Sequence, residues 1–106
     1  MSESRTAFVQ TVVVDEDLHL TFVELCHACG AAEEQVSALV LEGVLEPIGR
    51  DERSQWRFAG TALYRARRAL RLTRDFELDP AGVALALALL DEIDQLKARL
   101  ARSGVR

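Results

Sequence analysis

The chain has 106 residues, 49% of them hydrophobic and 28% charged, with a formal net charge of -4. That length holds one domain with one modest core, and that composition belongs to a globular protein rather than a disordered tail. The longest apolar run, residues 83–90, is far short of the roughly 20 residues needed to span a bilayer, and the polar start Met1-Ser2-Glu3-Ser4-Arg5 does not read as an export signal, so the expected compartment is the cytoplasm.

Residues 8–14 are rich in β-branched side chains and predict a short strand, with a return at residues 18–20. Thr21-Phe22-Val23-Glu24 is a capping box, in which the threonine side chain accepts from the glutamate N–H and the glutamate reaches back. The first helix then runs to about Cys29 and stops at Gly30, where a left-handed cap is cheap. A second helix from about Ala32 buries Val36, Leu39 and Val40 and ends at Gly43. Two short helices joined by a glycine turn form a helix-turn-helix.

A wing follows in the pattern: residues 45–48 and 55–58 are expected to pair as two short strands around the polar loop 49–54. Gly60-Thr61 opens a third helix with Leu63, Ala66, Ala69 and Leu70 inward and Arg67, Arg71 and Arg74 in an outward stripe. Asp79-Pro80 is an N-cap followed by proline at the first helical position, which starts a fourth helix. Leu89, Ile93, Leu96 and Leu100 recur along it as a seam of under two heptads, able to pack on its own domain or to join two copies as a homodimer. The expectation is therefore a mainly α, winged helix-turn-helix protein with a small β wing. Residues 8–78 would hold the strand, the winged motif and the third helix, and residues 79–103 a C-terminal helix, all in a single domain.

Charge is segregated along this plan. No lysine or arginine lies between Arg5 and Arg50, whereas Asp15, Glu16, Asp17, Glu24, Glu33, Glu34, Glu42 and Glu46 are acidic. Arg50, Arg53, Arg57, Arg65, Arg67, Arg68, Arg71 and Arg74 then oppose only Asp51 and Glu52 before Asp75. An acidic third followed by a basic third makes the molecule a dipole, open to a basic or an acidic partner.

The order of these elements, with Leu-Glu-Gly-Val-Leu-Glu-Pro at residues 41–47, Trp56 in the wing, Arg71-Leu72, and Phe-Glu-Leu-Asp-Pro-Ala-Gly-Val-Ala-Leu-Ala-Leu at residues 76–87, resembles the CbpM family of chaperone modulators. The likeness covers roughly residues 8–100. These are small relatives of the MerR helix-turn-helix domain, so the resemblance implies a MerR-like fold. It also implies a function: binding the J-domain of a DnaJ-like co-chaperone, the CbpA type, and inhibiting its action with Hsp70.

DNA-binding MerR proteins place arginines and aromatic residues in the second helix to hold phosphates, and here that stretch reads Glu33-Glu34-Gln35-Val36-Ser37-Ala38-Leu39. Carboxylates repel a phosphate backbone. The expected partner surface is accordingly Glu33, Glu34, Leu41, Glu42 and Glu46, an acidic rim around one apolar anchor, although glutamates on a helix are commonly just its wet face and Leu41 can equally be core. The rival is a MerR-like transcriptional regulator using Arg53 and Arg57 of the wing with Arg67, Arg71 and Arg74 of the third helix, unless carboxylates among Asp75, Glu77, Asp79, Asp91, Glu92 and Asp94 pair with them.

Cys26-His27-Ala28-Cys29 has C-x-x-C spacing, but zinc needs about four ligands, and the only other candidates, His19 and His27, form no second pair. A redox motif would open a helix, whereas these thiols fall late in one. They read as small buried side chains. With no glycine-rich phosphate loop and no nucleophile beside a base, neither an enzyme nor a cofactor is expected.

Overall fold

The computed structural model describes residues 19–49 and 52–104, which form four α-helices and two three-residue strands. The predicted strand at residues 8–14 lies outside the described residues. Strand β1 (His19–Thr21) leads directly into α1 (Phe22–Cys29). Both halves of the predicted capping box are present: Glu24 N–H donates to Thr21 Oγ1 at 3.0 Å, and Thr21 N–H to Glu24 Oε1 at 2.9 Å. Helix α2 (Glu33–Leu41) has only the reach-back half, Ala32 N–H to Gln35 Oε1 at 2.9 Å, because alanine has no hydroxyl to return it.

The two helices end alike. At α1, Gly30 (φ 65°) donates to His27 O and Ala31 to Cys26 O; at α2, Gly43 (φ 79°) donates to Val40 O and Val44 to Leu39 O. These paired bonds are Schellman motifs, whose left-handed residue favours glycine. The second motif carries the chain back inward, so that Val44 and Leu45 are buried after only a two-residue turn.

The wing departs from expectation. Strand β2 (Arg57–Ala59) pairs antiparallel with β1, in the register His19↔Ala59, Leu20↔Phe58, Thr21↔Arg57. Residues 45–48 do not form the predicted strand. Their one ladder-like bond runs from Ile48 N–H to Arg57 O at 2.7 Å. Proline has no N–H to give at position 47, and the loop before β2 tightens into a 3₁₀ turn, Arg53–Gln55.

Helix α3 (Ala62–Phe76) and helix α4 (Pro80–Ser103) complete the chain. As predicted, Asp79 caps α4, accepting from Gly82 N–H at 2.8 Å, with Pro80 in the first turn. One core joins Phe22, Leu25, Val36, Leu39, Leu45, Phe58, Leu63, Ala66, Ala69, Val83 and Leu87. Leu70 and Val40, also predicted inward, pack half-buried at its edge. Beyond Asp91 every described residue of α4 is exposed, so its last three turns extend past the core. Residues Leu89, Ile93, Leu96 and Leu100 are 45–55% exposed, so their seam is left half-open among the described residues.

Glu77 ends α3 at φ 56°, the sole non-glycine left-handed residue among those described. A side chain there is strained by about 1–2 kcal/mol, which glycine relieves at the cost of a looser unfolded chain. Glu77→Gly is expected to raise stability by about 0.5–1 kcal/mol, read as a small increase in Tm.

Candidate partner-binding surface

Helix α2 buries Val36, Ser37 and Leu39, half-buries Ala38 and Val40, and turns the rest outward. Residues three, four and seven apart share a helix face, so Glu34, Ala38, Leu41 and Glu42 lie along one side. Leu41, which the sequence left between core and surface, is 82% exposed, more than any other large apolar residue in the described chain. The reason is local: α2 ends at Leu41, and the turn after it is anchored by the carbonyl of buried Leu39. Glu33 sits about 100° round the helix from Glu34, on the edge nearer Ser37. Glu46 is exposed beyond the Gly43 turn. Glu33 and Glu34 also occupy the first turn of α2, where carboxylates are favoured by the helix dipole. Together these groups give α2 an acidic surface with one apolar projection.

The rival arginines are distributed differently. The Arg53 guanidinium donates to Ser37 Oγ at 3.0 Å and lies 5.6 Å from the Phe22 ring centroid, clamping the 3₁₀ turn onto α2 and α1. Below it Phe22, Trp56 and Phe58 form an edge-to-face series at 5.4 and 6.2 Å. Arg57 donates to the carbonyls of Gln55 and Trp56, Arg67 reaches Ala28 O at 3.4 Å, and Arg74 meets Asp75 at 3.5 Å. Of the five, Arg71 alone makes no hydrogen bond or ion pair with the described residues. Four of five candidate phosphate contacts are thus engaged with the protein itself. The expected pairing with the acids of α4 does occur, but through Arg65 and Arg68 rather than the stripe: Arg65 to Asp91 at 3.2 Å and Arg68 to Asp94 at 4.0 Å.

A model of the MerR HTH family of regulatory proteins matches residues 20–102. The chain is 36% identical over 85 residues to the chaperone modulatory protein CbpM of Citrobacter koseri, covering 80% of this chain and 83% of that one. It is 39% identical over 77 residues to the proteins of the same name from Salmonella arizonae and Salmonella newport, covering 73% of this chain and 75% of each. The chain belongs to the CbpM family. Within that family, then, this member carries the MerR-like helix-turn-helix with its second helix acidic and its wing arginines Arg53 and Arg57 turned onto its own residues.

One residue important to this surface of the CbpM-family fold was not legible in the sequence. Arg65 donates through Nε to Val44 O at 2.7 Å and through both terminal nitrogens to Asp91. It fastens the residue that follows the Gly43 turn to α3 and α4 at once. Its partners lie 21 and 26 residues away, a spacing that no local pattern reports.

The C-x-x-C pair occupies the inner face of α1. Cys26 is buried and Cys29 half-buried, both as free thiols, while His27 points to solvent. Burial pushes the Cys29 thiol up to about 11, against the partial opposing effect of Arg67, and burial also raises Cys26, helped by Glu33. Raised thiol pKa values suppress the thiolate that redox and metal chemistry require. Among the described residues no three His, Cys, Asp or Glu side chains are placed to share a metal ion. Because the unfolded thiols ionise near 9 and the folded Cys29 near 11, the unfolded state releases more protons in that window. Stability is expected to fall as pH rises from about 9 to about 11, and Cys29→Ser should flatten that slope in chemical denaturation.

Proposed function

We propose that this CbpM-family protein binds the J-domain of a DnaJ-like co-chaperone, of the CbpA type, and blocks its engagement with Hsp70. The observation that carries the reading is the acidic face of α2, where exposed Leu41 stands between Glu34 and Glu42 on the helix that in a DNA reader would be basic. The Hsp70-binding side of a J-domain is a basic helical hairpin, to which such a face is complementary in charge, and Glu33 and Glu46 extend the same negative field. The mode of action is occlusion, with no reaction catalysed: an interface burying about 1,200–2,000 Å² in total is enough for a specific complex. The working compartment is the cytoplasm, and no helix of the described residues is long and apolar enough to cross a membrane.

The test is the ATPase of Hsp70 stimulated by the isolated J-domain. Stoichiometric addition of the protein should return the rate to the unstimulated level without changing the rate of Hsp70 alone. Stimulation that persists in the presence of excess protein would overturn the reading. The transcriptional-regulator alternative has the MerR family match behind it. It requires binding to duplex DNA that is lost when Arg53, Arg57, Arg67 and Arg71 are replaced.

The projecting end of α4 is assigned to self-association. Its seam Leu89, Ile93, Leu96 and Leu100 is half-exposed, with Asp91, Glu92 and Asp94 at one end and Lys97, Arg99 and Arg102 at the other. Antiparallel pairing with a second copy buries the seam and sets each acidic end against a basic one. Leu96→Glu is expected to convert a dimer to a monomer in sedimentation equilibrium, at unchanged helicity by circular dichroism.

A further inference from the structure

We infer that the groove between α2 and the turn entering α4 is a socket for one large apolar side chain of the J-domain, presented from a helix that carries a basic residue about a turn away. This rests on the J-domain reading above and adds where and how the partner is anchored. The groove has a volume of about 230 Å³ and is mainly apolar along Ala38, Leu39, Leu70, Leu78 and Pro80, with Gln35, Thr73 and Asp79 as its polar lining. Small-molecule sites run from about 300 to 1,000 Å³, so this recess is of side-chain size. Ala38, half-exposed, is the smallest side chain of its lining.

The occupant follows from what surrounds the recess. Glu34 and Glu42 lie four residues either side of Ala38, so they stand one turn above and below it on the same face, and both are exposed. Asp79 is also exposed. Its nearest basic neighbour in sequence, Arg74, is paired with Asp75. A mainly apolar recess with Asp79 in its wall, and with Glu34 and Glu42 one turn either side of Ala38, selects an apolar side chain whose neighbours are lysine or arginine. Leu41, three residues beyond Ala38, projects from the same helix outside the recess lining, a second apolar contact point on α2. The J-domain, a basic helical hairpin, fits both demands.

Ala38→Phe fills the recess from within, and Ala38→Ser leaves it open. Binding of each full-length variant to the J-domain should be measured by titration calorimetry, beside methyl NMR of the unsubstituted protein labelled at alanine and leucine. Ala38→Phe is expected to raise Kd at least tenfold and Ala38→Ser no more than about threefold, while the Ala38, Leu39, Leu70 and Leu78 methyls shift on saturation with J-domain. If the J-domain binds with those methyls unmoved and Ala38→Phe binds as tightly as the parent, the socket is wrong and the J-domain reading stands. If the J-domain fails to bind the parent protein, both are wrong. If the same methyls shift on concentrating the protein alone and Ala38→Phe abolishes its self-association, the occupant is a second copy and the inference is overturned. The methyl shifts decide the question even if Ala38→Phe does not fold.

Discussion

Leu41→Asp is expected to weaken binding to the J-domain by at least about 30-fold, the effect of losing a hot-spot contact of about 2 kcal/mol. The side chain is 82% exposed and absent from the core, so the same substitution should leave Tm within a few degrees of the parent. That combination separates a contact residue from a structural one. Around it, Glu34→Lys and Glu42→Lys should each slow association and reduce the salt dependence of the rate, since rim charges act chiefly on encounter. Glu33→Lys, on the other edge of α2, is the comparison and should have the smaller effect. Stopped-flow association at two ionic strengths measures all four. Equal effects at Glu33 and Glu34 would mean that the negative field of the helix, rather than one face of it, meets the partner.

Phe58→Ala is expected to cost about 3–5 kcal/mol of stability, which is a large share of the 5–15 kcal/mol that holds a domain folded. Phe58 is fully buried in β2, is paired across the sheet with Leu20, and meets the Trp56 ring edge-on. Its loss leaves a cavity at the junction of the sheet and the helices, and Tm should fall by at least about 12 °C. Phe76→Ala provides the contrast. That ring is 67% exposed at the end of α3, and its removal should change stability by less than about 0.5 kcal/mol. Two phenylalanines of one chain are thus distinguished by position alone.

The parts of the fold that were legible in the sequence are those written locally. Thr21 with Glu24, Gly30, Gly43 and Asp79 with Pro80 each specify a helix end through contacts within five residues, and each end formed where expected. A small β wing formed as expected, but its strand pairing was misread because the partner of β2 is distant. Residues 45–48 and 57–59 are both apolar enough to pair, but β2 finds β1, some 38 residues earlier along the chain, and Pro47 interrupts the nearer ladder. Leu41 could not be placed from the run Leu39-Val40-Leu41, because every member is a core residue type. Only the carbonyl bonds that stop α2 and bury Leu39 decide that Leu41 faces water. The arginine stripe was correct as a pattern, with Arg67, Arg71 and Arg74 all exposed. The pattern could not show that Arg53 is used as a clamp on Ser37 and Phe22, nor that Arg65 makes the bidentate pair with Asp91.

The exposed face of α2 owes its orientation to distant groups. Arg65 ties the turn after α2 to α3 and α4, and Arg53 ties the 3₁₀ turn to the middle of α2. A MerR-like scaffold of this kind can change its partner by altering side chains on one helix while the contacts that orient that helix remain.

The most direct test is calorimetric titration of the purified protein with the J-domain of the DnaJ-like co-chaperone from the same genome, at low and at moderate salt. Saturable one-to-one binding per chain, several-fold weaker at the higher salt, is the result expected of an acidic helix facing a basic hairpin. No heat at either salt, or binding that salt leaves unchanged, would contradict it.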